Sequence, residues 1–234
     1  MKWTRDLTGR FRERPHYIEA ELEAICEESI TSFLTAHRGK VEFPVRTEDL
    51  TVLIEQHTDD LDSSCELDEG VEGLTDFFPK KRPKVKIASR LQEPRYENRL
   101  RTTLTHEFGH VRLHGFLFQL DDDLKRLFDG KPCDHRNQCH RDSIERSGTD
   151  WMEWQARFAS GALLMPASEL TRVVRSFVET HDLAFVDIGT NTDAGRALIA
   201  NVVQNFQVSA DAARVRLEQR KALVLNPVPS LFQS

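Results

Sequence analysis

Residues Arg99–Gly115 read RLRTTLTHEFGHVRLHG, and their spacing predicts an α-helix. Leu100, Leu104, Phe108 and Val111 form one apolar stripe, with His106 and His110 on a neighbouring edge. The two histidines are four residues apart, which is about 6 Å of helical rise, so both imidazoles reach a single cation. Glu107 sits about 100° around the helix from His106, where it can touch water at the metal without being a ligand. This H-E-x-x-H spacing points to zinc-peptidase chemistry, with His106 and His110 as ligands and Glu107 as general base. Gly109 costs the helix about 1 kcal/mol relative to alanine, which the close approach of a neighbouring backbone or of substrate would explain.

A catalytic zinc needs a third protein ligand, with the fourth place kept for water. His114 continues the series but lies about 12 Å along the axis from His106, which suits a helix cap or a supporting contact better than coordination. The segment CDHRNQCH offers Cys133, His135, Cys139 and His140 as a second metal site, although C-x5-C is not one of the usual ligand spacings. Glu153, in TDWMEWQARFASGALLMP, would come from a second helix. Asp150 and Glu153 also have the spacing of a capping box, in which Glu153 would satisfy backbone N–H groups. Spacing alone leaves both readings of Glu153 open.

Outward from this helix the chain alternates in texture. Residues 17–37 carry Ile18, Leu22, Ile25, Phe33 and Leu34 at near-helical spacing, with Gly39 as the stop. A short extended piece, VEFPV, precedes Thr47, an expected N-cap for EDLTVLIEQ. Val71–Phe78 and Lys84–Ala88 read as strands, and the alternation in KVKIA suits a half-buried or edge strand that could pair with an extended substrate. A polar stretch covers roughly 119–149, and helices are expected near 150–165, 166–180 and 193–220. The chain is therefore expected to be α+β, a small twisted β-sheet with the H-E-x-x-H helix followed by a helical C-terminal region. The expected division is residues 1–165 and residues 166–234.

Composition limits the partners. With 32 Lys and Arg against 38 Asp and Glu, the net charge of −6 argues against a broad nucleic-acid-binding surface. No run approaches the ~20 apolar residues of a membrane helix. The charged N-terminus lacks the apolar centre of a secretory signal, so a cytoplasmic location is expected. There the four cysteines are expected as thiols or metal ligands rather than as a disulfide framework.

Several stretches together resemble the ImmA/IrrE family of metallo-endopeptidases: VEGLTDF, PKVKIASRL, RLRTTLTHEFGHVRLH, DWMEWQARFASGALLMP and FQVSADAARVRL, spanning about 70–220. The resemblance implies a zincin-like core. It also implies Glu153 as the third ligand, because the family glutamate of E-x-x-A-x-x-F-A falls on EWQARFA. As substrate it implies a helix-turn-helix transcriptional repressor, cut to relieve repression. Two departures stand out. Forty-three positions separate His110 from Glu153, a longer connection than the family pattern, and Arg157 replaces the commoner asparagine.

No oxyanion donor is singled out among Tyr96, His135 and His140. A rival reading comes from ALIANVVQNFQVSADAARVRLEQ, the outline of a helix-turn-helix with Arg214, Arg216 and Arg220 on its second helix. That reading makes the chain a DNA-binding regulator with a structural metal. A third makes it a non-proteolytic anti-repressor.

Overall fold

The computed structural model describes residues 1–78, 81–128, 136–140, 150–184 and 186–225; within 120–149 only the backbone of the helix and strand named below is described. An N-terminal hairpin pairs β1 (Lys2–Arg5) antiparallel with β2 (Glu13–His16). Helices α1 (Glu19–Arg38) and α2 (Thr47–His57) follow, then β3 (Asp60–Cys65), β4 (Val71–Asp76) and β5 (Lys84–Ala88). The long helix α3 (Glu97–Phe128), strand β6 (Arg136–His140), and helices α4 (Trp151–Leu164), α5 (Ala167–Thr180), α6 (Asp193–Phe206) and α7 (Ala210–Gln219) complete the order. The fold is α+β. No helix among the described residues is long and apolar enough to cross a membrane.

The second sheet has the order β3-β5-β4-β6. This corrects the expectation for KVKIA: β5 is not an edge, because β3 pairs parallel on one side and β4 antiparallel on the other. The alternation in KVKIA arises because Lys84 and Lys86 lean toward solvent while Val85 and Ile87 are buried. Its backbone hydrogen bonds are already taken, so a substrate segment has no free edge there. The covering strand, DLDSSC, escapes a pattern search because it contains one large apolar residue, Leu61.

Helix boundaries follow local chemistry. Gly39 ends α1 in the left-handed region at φ 73°, donating its N–H to Thr35 O. Thr47 is the first residue of α2 rather than its N-cap, which is Arg46, and its hydroxyl instead donates to Glu97 at the start of α3. Gln207 closes α6 at φ 50°, and Ser209 caps α7 by accepting from Ala212 N–H at 3.1 Å.

The main core is continuous from Leu22 and Ile30 of α1, through Val85, Leu104 and Phe108, to Leu170, Val202 and Leu217 of the C-terminal helices. Of the expected stripe on α3, Leu100, Leu104 and Phe108 are buried and Val111 is partly so. A second cluster of Phe11, Phe77, Leu117, Phe118, Trp151 and Met152 ties the N-terminal hairpin to α3 and α4. Phe77 and Phe118 stack in it at 4.1 Å between ring centres.

In the C-terminal helices Arg216 is 1% exposed. Its guanidinium donates to both carboxylate oxygens of Glu23 at 2.7 and 2.5 Å and to Met165 O. Arg214 is paired with Glu218 at 3.1 Å, and Arg220 lies 3.6 Å from Glu23. Of the three arginines in the rival helix-turn-helix reading, Arg216 is thus turned inward, because α7 packs that side onto α1 and α4.

Candidate metal centre

Close packing of α3 on α4 builds the site. A side chain at Gly109 would meet the Ala156 Cα at 3.1 Å, the Ala159 Cβ at 3.1 Å and the Ala156 carbonyl at 3.2 Å. Only glycine on α3, facing alanines on α4, lets the backbones come this near. That approach explains the glycine that weakens the helix. Gly109→Val is expected to destabilise the protein by about 1–3 kcal/mol through overpacking and to weaken metal retention, because it levers α4 from α3. Thermal unfolding and a zinc titration check this; a variant matching the parent in both would show that the contact does not set the spacing.

At this contact His106, His110 and Glu153 come together. The two Nε2 atoms are 3.1 Å apart. Glu153 Oε2 lies 3.2 Å from His106 Nε2, and Glu153 Oε1 lies 3.1 Å from His110 Nε2. All three side chains offer ligand atoms to one point, a group that could hold a metal ion. Ligand atoms around a tetrahedral zinc, at about 2.0–2.1 Å from it, are roughly 3.3 Å from one another, so the donor set fits such a cation. Asp150 caps α4, accepting from Met152 N–H at 2.9 Å, while Glu153 faces the histidines. Burial alone would raise the Glu153 carboxyl, yet His110 and His106 hold it far below the usual carboxylate range.

Glu107 is fully buried beside this group. Its Oε2 accepts from the Thr75 hydroxyl at 2.5 Å, while Oε1 has no hydrogen-bond partner among the described residues. Burial pushes its carboxyl above the ordinary range, with only partial opposition from His106 and His110. Strand β4 passes so close that a methyl group at Gly73 would overlap Glu107 Oε1. Neither Thr75 nor Gly73 was expected at the site. The only hint lay in the glycine within the strand VEGLTD, since an isolated strand glycine often marks a close approach.

His114 is neither ligand nor helix cap, because α3 runs a further fourteen residues to Phe128. Its Nδ1 lies 3.0 Å from His110 Nδ1, and its Nε2 lies 3.0 Å from Gln155 Oε1. Burial holds its ring well below the usual histidine range, and so neutral. Cys133 and His135 lie outside the described residues, and of Cys139 and His140 only the strand backbone is described. Tyr96 packs against the main core with the Arg95 guanidinium 4.7 Å above its ring.

A zincin-like core that carries a buried carboxylate beside a cation-ready cluster is of the metallopeptidase class. The family described as the IrrE N-terminal-like domain, Peptidase_M78, matches residues 75–218, more than half of the chain, and the chain belongs to that family. A comparison with curated proteins finds no match.

Proposed function

We propose that the protein is a zinc-dependent endopeptidase of the cytoplasm, with zinc held by His106, His110 and Glu153 and with Glu107 as general base. The observation that carries the reading is the convergence of two imidazole nitrogens and a carboxylate, 3.1–3.2 Å apart, next to a buried carboxylate oxygen without a hydrogen-bond partner among the described residues. When bound, the metal supplies Lewis acidity for the scissile carbonyl and makes water acidic enough to attack near neutral pH. Glu107 Oε1 accepts the proton from the attacking water and returns it to the leaving amine. Thr75, donating to Oε2, fixes the carboxylate so that Oε1 is the oxygen presented. The raised proton affinity of the buried carboxyl suits a group that must hold a proton between the two steps.

For the substrate, the family supports a helix-turn-helix transcriptional repressor, cut to release its genes. The cleaved segment must be extended, since a helix buries the backbone groups that the site has to reach. Residues 1–165 carry the peptidase function in this reading, and residues 166–234 are its helical supplement.

The rival DNA-binding reading loses one of its three arginines, Arg216, whose guanidinium is buried against Glu23. Sequestration without cleavage gives no role to the buried Glu107–Thr75 pair.

Metal content tests the ligand set. The parent is expected to carry about one zinc per chain, and His110→Ala and Glu153→Ala to retain little of it at matched purity. Equal metal in all three proteins would refute the assignment.

A further inference from the structure

We propose that His114 and Gln155 are positioning residues that hold His110 in the tautomer whose Nε2 carries a lone pair for the metal; the inference rests on the ligand reading above. The argument begins at a backbone carbonyl, which can only accept. Gln155 Nε2 donates to Pro15 O at 3.4 Å, so the other end of the amide, Oε1, faces His114 Nε2 at 3.0 Å. An amide oxygen only accepts, so the His114 proton sits on Nε2. A neutral imidazole has a single N–H, and His114 Nδ1 is therefore an acceptor. Its partner at 3.0 Å, His110 Nδ1, must donate. With Nδ1 donating to His114, His110 Nε2, which faces Glu153 and His106, is the nitrogen left to bind the metal.

Each assignment follows from the one before, and water does not enter to relax them: His114 is 0% exposed and Gln155 4%. Trp151 holds the His114 ring edge-on at 5.5 Å, and the Arg14 guanidinium lies 5.5 Å from the Trp151 ring. Outer hydrogen bonds of this kind set the tautomer and orientation of metal-binding histidines. Here the chain of bonds ends in β2, outside the residues that match the family, so the N-terminal hairpin supports the metal centre through Gln155, 140 positions along the chain from Pro15.

Two measurements on the full chain test this. Long-range proton–nitrogen spectra of the zinc-loaded parent should show His114 protonated at Nε2 and His110 at Nδ1. Chelator competition should show zinc bound about 10–100-fold more weakly by Gln155→Leu, which removes the acceptor at similar volume. Gln155→Glu keeps an oxygen toward His114 and should stay nearer the parent. A packing role alone predicts the opposite order, with leucine tolerated and the buried charge harmful. Parent-like zinc affinity in Gln155→Leu, or a His114 ring protonated at Nδ1, overturns the relay while leaving the ligand set intact. The spectra need no variant, so the test survives a misfolded Gln155→Leu. A parent that binds no zinc, or His110→Ala that binds it fully, overturns relay and ligand set together.

Discussion

Glu107→Gln is expected to lower cleavage of a helix-turn-helix repressor by about 10²–10⁴-fold, the usual contribution of a positioned general base. The change is conservative in shape. The amide oxygen can still accept from Thr75, and the amide nitrogen takes the place of Oε1, which has no partner to lose among the described residues. Zinc content should stay at the parent level, since Glu107 is not among the three converging ligands. Stability should hold or rise. A carboxyl whose folded-state pKa is raised by burial disfavours folding once pH exceeds its unfolded value, near 4, and the amide removes that penalty. Mass spectrometry of the repressor after incubation, with zinc analysis and thermal unfolding of the same samples, reads all three. Cleavage at the parental rate would remove Glu107 from the mechanism.

Arg216→Ala is expected to cost about 3–5 kcal/mol of stability, the range for removing one partner of a buried ion pair. For a chain of this length that is a fall in Tm of roughly 10 °C. The loss follows from what would be left behind: the Glu23 carboxylate, with Arg220 at 3.6 Å as its remaining cation, and the Met165 carbonyl without its donor. Arg214→Ala breaks a more exposed pair with Glu218 and should change stability by no more than about 1 kcal/mol. A DNA-binding α7 makes the contrary prediction, that both variants weaken duplex binding and neither unfolds the protein. Equal melting of Arg216→Ala and the parent would reopen that reading.

The parts of the molecule legible in the sequence are those written in short-range spacing. The i,i+4 histidines, the apolar stripe on α3 and the glycine stop at Gly39 each need only a few neighbouring residues. Glu153 is ambiguous by spacing, because a first-turn glutamate suits a cap as well as a ligand, and the family resemblance favours the ligand reading. Contacts across the chain left no such trace. Thr75 meets Glu107 across 32 positions, Gln155 meets Pro15 across 140, and Arg216 meets Glu23 across 193. The β1–β2 hairpin and β3 were missed for a related reason. Their residues are mostly polar, and they become strands through backbone pairing rather than through an apolar face.

Strand β3 has one further effect, on how the molecules behave in concentrated solution. It ends the sheet on the side of β5 with Asp60 and Asp62 exposed, and Asp59, Glu66, Asp68 and Glu69 flank it in the chain. Unpaired peptide groups along such a border would otherwise invite a neighbouring copy to stack on as another strand. Two borders of like sign repel one another, and more strongly at low ionic strength. Colloidal stability is therefore written into an edge strand with a single large apolar residue.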